Sequence, residues 1–126
     1  MKMRTSELTG TALDWAVAKC EGYTPVRHSS LATIMVERMN ARGCMQLEHI
    51  HSLRFSTDWA QGGPIIERER IVIGYINDLP CASLFEGSRH SAMEFGPTPL
   101  IAAMRCYCCA KLGPEIEIPD SLGEQP

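Results

Sequence analysis

The segment Pro99–Leu112, PLIAAMRCYCCAKL, most constrains how this chain can fold. Thr98 before it is a favourable helix N-cap, proline at the first helical position loses no hydrogen bond, and Gly113 just past the end favours termination. Within the predicted helix only Arg105 and Lys111 are charged. A helix that is apolar around most of its circumference is buried on more than one side. We therefore expect it to lie beneath a sheet or at a subunit interface.

A second helix is predicted near the start of the chain, over roughly residues 9 to 21. Its apolar side chains recur at helical spacing. Thr5, Ser6 and Thr9 are all candidate caps, and Gly22 is a favourable residue just past the helix end.

The middle of the chain contains several extended segments and one ambiguous segment. Residues 28–43 fit either a helix or a strand, whereas residues 44–55 alternate in part as a strand does. Residues 65–76, IIERERIVIGYI, are rich in β-branched side chains, which indicates one long strand or two short ones. Residues 77–80, NDLP, indicate a turn, and residues 81–96 a further short strand or loop.

These elements predict a small single α+β domain over residues 1–118. Its N-terminal and C-terminal helices are expected to pack on an antiparallel sheet, and residues 119–126 to form a flexible tail. An all-helical N-terminal half followed by a hairpin is the alternative, because the ambiguous segment fits a helix equally well.

Composition narrows the class of protein. The 126 residues carry a formal net charge of −3, and their basic residues form no run, which argues against nucleic-acid binding through bulk charge. The first residues, MKMRTSELTG, lack the apolar core of an export signal. The longest mostly apolar run is too short to span a membrane. We therefore expect a cytoplasmic protein that does not bind membranes.

The cysteines indicate neither disulfides nor a metal. Without an export signal, free and mostly buried thiols are the expected state. On a helix Cys106 and Cys109 share a face and Cys108 does not, and a second pair of ligands at zinc-site spacing is missing. We predict no metal and no cofactor. The cysteines are Cys20, Cys44, Cys81, Cys106, Cys108 and Cys109.

The segment STDWAQGGP, residues 56–64, is the candidate ligand site. In a structural interpretation, Ser56 or Thr57 caps a single helical turn and Trp59 packs into the core. Gly62 then adopts the left-handed conformation, and Pro64 opens the next strand. In a functional interpretation, a polar ligand stacks on the tryptophan and is held by polar side chains and glycine amides. The structural interpretation is favoured by about two to one. The candidate ligand-binding residues are Asp58, Trp59, Gln61, Gly62 and Gly63.

Catalytic signatures are weaker still. His49 and His51 would share one face of a strand, a spacing compatible with metal binding or general base catalysis. No Ser-His-Asp or Cys-His arrangement is recognisable in the sequence. We therefore assign no catalytic residue and favour a protein that is not an enzyme.

Three long stretches resemble the NinX-type family of lambdoid-phage and prophage proteins. They are SELTGTALDWAVAKCEGY, STDWAQGGPIIERE and GPTPLIAAMRCYCCAKLG, which occur in the family's order and cover somewhat under half of the chain. Family members usually have small or β-branched residues where Cys108 and Cys109 stand here. The resemblance implies an accessory protein of a temperate phage acting in the host cytoplasm. The family has no assigned activity, so the resemblance implies no catalytic residues.

Three functions remain open at this point. The first is a phage accessory protein without catalytic activity that binds a host or phage protein. The second is a small-molecule binder, such as a sponge that sequesters a nucleotide signal of host defence. The third is a small hydrolase or transferase that uses His49 or His51.

The apolar C-terminal helix also predicts a homo-oligomer, most simply a homodimer. One sheet face covers only part of such a helix, and an exposed apolar strip normally marks an interface. The first helix, with Trp15, is the other candidate surface. In the competing account the helices and the sheet bury one another within one chain. The candidate interface residues are Leu100, Ile101, Met104, Tyr107 and Cys108.

Overall fold

A computed structural model describes residues 1–27, 34–39, 42–86 and 89–119 of the chain. These residues contain three helices and eight strands. The α+β class is confirmed. The helices are α1 (Gly10–Cys20), α2 (Trp59–Glu69) and α3 (Pro99–Leu112). The strands are β1 (Lys2–Arg4), β2 (Thr24–Arg27), β3 (Ile34–Met39), β4 (Met45–His49), β5 (Val72–Ile76), β6 (Leu79–Glu86), β7 (Arg89–Phe95) and β8 (Glu115–Glu117).

The strands form three antiparallel units and not one continuous sheet. β5, β6 and β7 form one three-stranded sheet, β2, β3 and β4 form another, and β1 pairs with β8. The turn between β5 and β6 consists of Asn77 and Asp78, with φ angles of 52° and 66°. Two successive positive φ angles are typical of a type I′ turn, which matches the twist of a hairpin. The turn predicted for NDLP is confirmed.

Helix α3 lies at the centre of the core. Its residues Ala102, Ala103, Met104 and Cys106 have no exposed surface. One side of α3 packs on β6 and β7, and other sides contact α1 and α2. The predicted burial on more than one side is confirmed. α1 packs chiefly against α3 and also contacts strand β2.

The residues proposed to form an oligomer interface are mostly inside the single chain. Leu100, Met104, Tyr107 and Cys108 are at most 2% exposed, and only Ile101 is partly exposed. Trp15 on the first helix is also buried. The burial therefore supports the competing account, in which helices and sheet cover one another. The homo-oligomer itself stays a prediction, but α3 does not offer an accessible surface for it.

The ambiguous region is extended where the structure describes it. β3 occupies Ile34–Met39 and pairs with both β2 and β4, so the all-helical alternative for the N-terminal half is wrong. The strand predicted within residues 44–55 is confirmed as β4, followed by a 3-10 turn at Ile50–Ser52. The predicted flexible tail, apart from Pro119, lies outside the described residues.

The prediction for residues 65–69 is wrong. They were expected to be a strand after a single helical turn, yet α2 continues through Pro64 to Glu69. Arg70 then ends the helix in the left-handed conformation, and the amide of Ile71 donates to the carbonyl of Ile66 at 3.0 Å. Burial of Ile65 in the core and the close packing of Gly62 outweigh the local preferences of glycine, proline and isoleucine.

Candidate functional site

The carboxylate of Asp58 begins α2. It accepts a hydrogen bond from the amide of Ala60 at 2.9 Å, so Asp58 is the N-cap in place of Ser56 or Thr57. Ser56 is buried instead, and its amide donates to the carboxylate of Asp14 at 2.8 Å. The acid predicted to hold a ligand is thus engaged in capping a helix.

Gly62 lies inside α2 and provides close packing. Its amide donates to the carbonyl of Asp58 at 2.9 Å, so this amide is not available to a ligand. A Cβ at Gly62 would collide with the backbone of Phe55 and lie 2.7 Å from the Cδ1 atom of Leu100. The predicted left-handed conformation of Gly62 is wrong, because its φ is not positive. Gly63 follows within the helix, and a Cβ there would make only ordinary contact with Trp59 at 3.9 Å.

The side chain of Gln61 fastens α2 to the preceding loop. Its Oε1 atom accepts from the amide of Arg54 at 2.8 Å, and its Nε2 atom donates to the carbonyl of Ser52 at 3.2 Å. Trp59, by contrast, is 53% exposed, so the expectation that it packs into the core is wrong. The five candidate residues therefore point in different directions, and three of them serve the packing and capping of α2.

A polar network missed by the sequence analysis joins the three helices. Arg68 of α2 donates to both carboxylate oxygens of Glu21, at 3.0 and 2.6 Å, and to the hydroxyl of Tyr107 at 3.1 Å. That hydroxyl donates to Glu21 at 2.6 Å. Each residue comes from a different one of the three stretches that resemble the phage family. No signal in a single sequence pairs residues so far apart, so only the fold reveals the network.

The carboxylate, guanidinium and hydroxyl groups of this network are hydrogen-bonded to one another. Burial opposes the charged form of Glu21, but hydrogen bonds from Arg68 and Tyr107 outweigh it and hold the pKa of Glu21 below its usual value. Burial and the hydrogen bond to Glu21 raise the pKa of Tyr107. The network therefore fixes the end of α1 against α2 and α3. The cleft beside it, about 500 Å³, is lined by Gln61, Arg68 and the edge-to-face pair Tyr23 and Phe55.

Asp14 is a buried acid that the sequence analysis also missed. Burial raises the pKa of Asp14, while the hydrogen bond from the amide of Ser56 and the positive charge of Arg54 act in the opposite direction. It borders a smaller cleft with Thr11, Arg54 and Thr57. The available signal was one acid among apolar residues in ALDWAV. Its hydrogen bond to the amide of Ser56 shows that it supports the loop before α2.

The described thiols differ in their exposure to solvent. Cys81, Cys106 and Cys108 are buried, whereas Cys44 is exposed, and the described residues contain no disulfide. Burial raises the pKa of Cys106 to about 12, which makes it inert. Among described residues there is no group of three or more metal-binding side chains. The side chains of His49 and His51 lie outside the part that is described.

An exposed apolar surface covers one face of the β5–β6–β7 sheet. Cross-strand partners share a face, and Val72 faces Ser83, Ile76 faces Leu79, and Phe95 faces Cys81. The opposite face carries Ala82 and Ala92 against α3. We call the side opposite α3 the outer face; Cys81 on it is buried, and its large exposed apolar residues are Val72 (54% exposed), Ile76 (44%), Leu79 (57%) and Phe95 (41%).

A groove of about 420 Å³ continues from the outer face. Leu79 and Phe95 form its apolar end, and Glu94 and Arg105 form its polar end. Arg105 donates to the carbonyls of Leu8 at 2.7 Å and of Phe95 at 2.9 Å, which holds the groove wall in place. Burial raises the pKa of Glu94, and the charge of Arg105 lowers it in part. The groove therefore offers apolar contacts beside two side chains of opposite charge.

Comparison with known proteins gives one family. The family model described as Bacteriophage P22, NinX matches residues 4–111, which includes all three helices almost completely and the β5–β6–β7 sheet. None of the curated proteins matches the chain. None of the helices within the described ranges is long and apolar enough to cross a membrane.

Proposed function

This chain belongs to the bacteriophage P22 NinX family, and from that premise we propose that it is a non-catalytic phage accessory protein that binds a protein of the host or the phage. The partner docks on the outer face. The observation that carries this proposal is the placement of four large apolar side chains, each more than 40% exposed, on one side of a single sheet.

Exposure of these apolar side chains to water is unfavourable unless another molecule covers them. Isolated exposed apolar residues are ordinary, but a contiguous group of them on one sheet face is typical of an interaction site. Burying one Leu or Phe side chain contributes roughly 1.5–3 kcal/mol. Leu79 and Phe95, at the border between the outer face and the groove, are therefore the expected centre of the contact.

The groove adds selectivity for a protein partner. A partner that covers Leu79 and Phe95 with apolar side chains can also place a polar group between Glu94 and Arg105. A mixture of an apolar centre and a polar rim is the usual composition of a protein interface. The net charge of −3 gives no support to a nucleic acid as the partner.

The other two functions receive less support from the geometry. Asp58 caps α2 and Gln61 is bonded to backbone groups, so they do not converge on a nucleotide beside Trp59. The nucleotide sponge remains a prediction that a thermal-shift screen of nucleotides tests. A hydrolase that used His49 or His51 would lack Asp58 as its partner acid, because the carboxylate of Asp58 caps α2.

The test compares two variants with the wild-type chain. The outer-face variant carries Leu79→Ser and Phe95→Ser, and the control carries Trp59→Ser, which removes an exposed aromatic residue elsewhere on the surface. Each chain is used to recover partners from phage-infected cells, and the recovered protein is then purified and titrated. We expect a partner whose dissociation constant rises at least about tenfold for the outer-face variant and is unchanged for the control.

Equal affinities of the two variants for the purified partner would rule out the outer face as the docking site. A partner lost only by the Trp59→Ser control would move the site to the start of α2. Thermal unfolding of both variants shows that neither result reflects a misfolded chain.

A further inference from the structure

Strand β5 lies at one edge of its three-stranded sheet. In the described part of the chain β5 has β6 as its single neighbour. In a hairpin closed by a two-residue turn, the residues flanking the turn form a hydrogen-bonded pair. Ile76 and Leu79 are that pair here. Alternate residues Val72, Gly74 and Ile76 therefore bond to β6, and the backbone groups of Ile73 and Tyr75 point away from the sheet.

This edge lacks the usual protection against pairing. Natural edges carry charges, prolines or bulges that prevent another strand from adding to them. The sequence of β5 is Val-Ile-Gly-Tyr-Ile, with no charge and no proline, and its register with β6 is regular. Tyr75 is 65% exposed beside this edge. A Cβ at Gly74 would meet nothing within 4 Å, so no described residue covers the sheet face at the centre of β5.

We infer that β5 pairs antiparallel with β5 of a second copy of this chain, with a two-fold axis at Gly74. Ile73 then exchanges backbone hydrogen bonds with Tyr75 of the second copy, and the reverse pair forms by symmetry. Two three-stranded sheets become one continuous sheet. This dimer stands independently of the proposed partner, because it uses the edge of the sheet and not its outer face.

The charges at the ends of β5 favour a second copy over an unrelated strand. Arg70 precedes β5 and Asp78 follows it, and both are exposed. The two-fold axis brings the end of β5 that follows Arg70 in one copy towards the end that precedes Asp78 in the other. Neither residue has an ion-pair partner among the described residues of its own chain. A strand that carries opposite charges at its two ends is complementary to itself only in the antiparallel direction.

Sedimentation velocity of the full chain, over roughly 1–100 µM, tests the inference. We expect a species of twice the 14.0 kDa chain mass. Tyr75→Pro removes an outward N–H that β6 does not use, and an edge strand tolerates proline there. We expect this variant to raise the dimer dissociation constant at least about tenfold. Tyr75→Lys, which leaves the backbone unchanged, should weaken the dimer in the same direction.

A charge exchange identifies the symmetry. Arg70→Asp or Asp78→Lys alone should weaken the dimer, and the two changes together should restore it. The outer-face variant Leu79→Ser, Phe95→Ser should remain dimeric, so failure of the dimer and failure of the proposed partner are distinguishable. A single-chain mass at every concentration would overturn the inference and leave the edge to a foreign strand. A dimer unaffected by both Tyr75 changes would place the interface elsewhere.

Discussion

Arg68 of α2 donates two parallel hydrogen bonds, of 3.0 and 2.6 Å, to the carboxylate of Glu21, the C-cap residue of α1. These two hydrogen bonds link α1 to α2 in a bidentate arrangement, because guanidinium and carboxylate match in geometry. Arg68 is half exposed, and solvent reduces the benefit of the pair. Both partners also contact Tyr107, which ties the pair to the core helix.

A double-mutant cycle with Arg68→Gln and Glu21→Gln should give a coupling energy of about 0.5–1 kcal/mol. Urea unfolding of the four proteins at pH 7 measures it. Because the pKa of Glu21 is lowered in the folded state, the contribution should be present above its unfolded pKa and be lost as pH falls through the folded value. A coupling that persists unchanged into strong acid would contradict this account.

Asp14 should contribute to the pH dependence of stability in the sense opposite to that of Glu21, and Asp14→Asn should remove this contribution. Burial raises the pKa of Asp14 in the folded state, so its contribution is fully present below the unfolded pKa and is lost as pH rises through the folded pKa. Asparagine keeps an oxygen to accept from the amide of Ser56 and carries no charge. We expect the variant's stability relative to wild type to increase from pH 4 to pH 7. Chemical unfolding at several pH values measures this difference, and a difference independent of pH would be the contrary result.

The adjacent glycines of α2 should respond oppositely to alanine. Gly62→Ala places a Cβ against the backbone of Phe55 and the side chain of Leu100 and should destabilise by about 1–3 kcal/mol. Gly63→Ala meets only Trp59 at an ordinary distance and should stabilise by roughly 0.5–1 kcal/mol through higher helix propensity. Thermal and urea unfolding compare the two variants. Equal effects would mean that Gly62 has no packing role.

The two helix caps offer a second matched pair. The hydroxyl of Thr98 accepts from the amide of Ile101 at 3.1 Å, whereas Thr9, at the equivalent position of α1, makes no side-chain cap bond. Thr98→Ala should therefore destabilise by about 1 kcal/mol, and Thr9→Ala should have a much smaller effect. Urea unfolding again provides the comparison, and a larger loss at Thr9 would contradict the assigned caps.

The contrast between α3 and α2 shows what could be predicted from the sequence. Thr98, Pro99 and Gly113 each act within a few residues of the helix ends, so local rules located α3 correctly. α2 was misread as a turn and a strand because Gly62, Pro64 and the isoleucines have those local preferences. The deciding contact, between Gly62 and distant parts of the core, is not a local property.

The candidate site was less predictable than the fold for the same reason. Asp58 and Gln61 were recognised as polar residues beside glycines, but their roles depend on Ala60, Arg54 and Ser52 in three dimensions. The outer face depends on the register between β5, β6 and β7, which sets the side of the sheet for each residue.

The pairing of β1 with β8 has a consequence for the order of events during synthesis. The hydroxyl of Thr5 donates to the carbonyl of Gly113, 108 residues later, and Met3 faces Ile116 across the strand pair. At translation rates of roughly 5–20 residues per second, β8 is synthesised roughly 5–20 seconds after β1. During that interval the central helix has not yet been made, and the buried side of α1 lacks its cover. The nascent chain is therefore most accessible to chaperones and proteases until β8 leaves the ribosome.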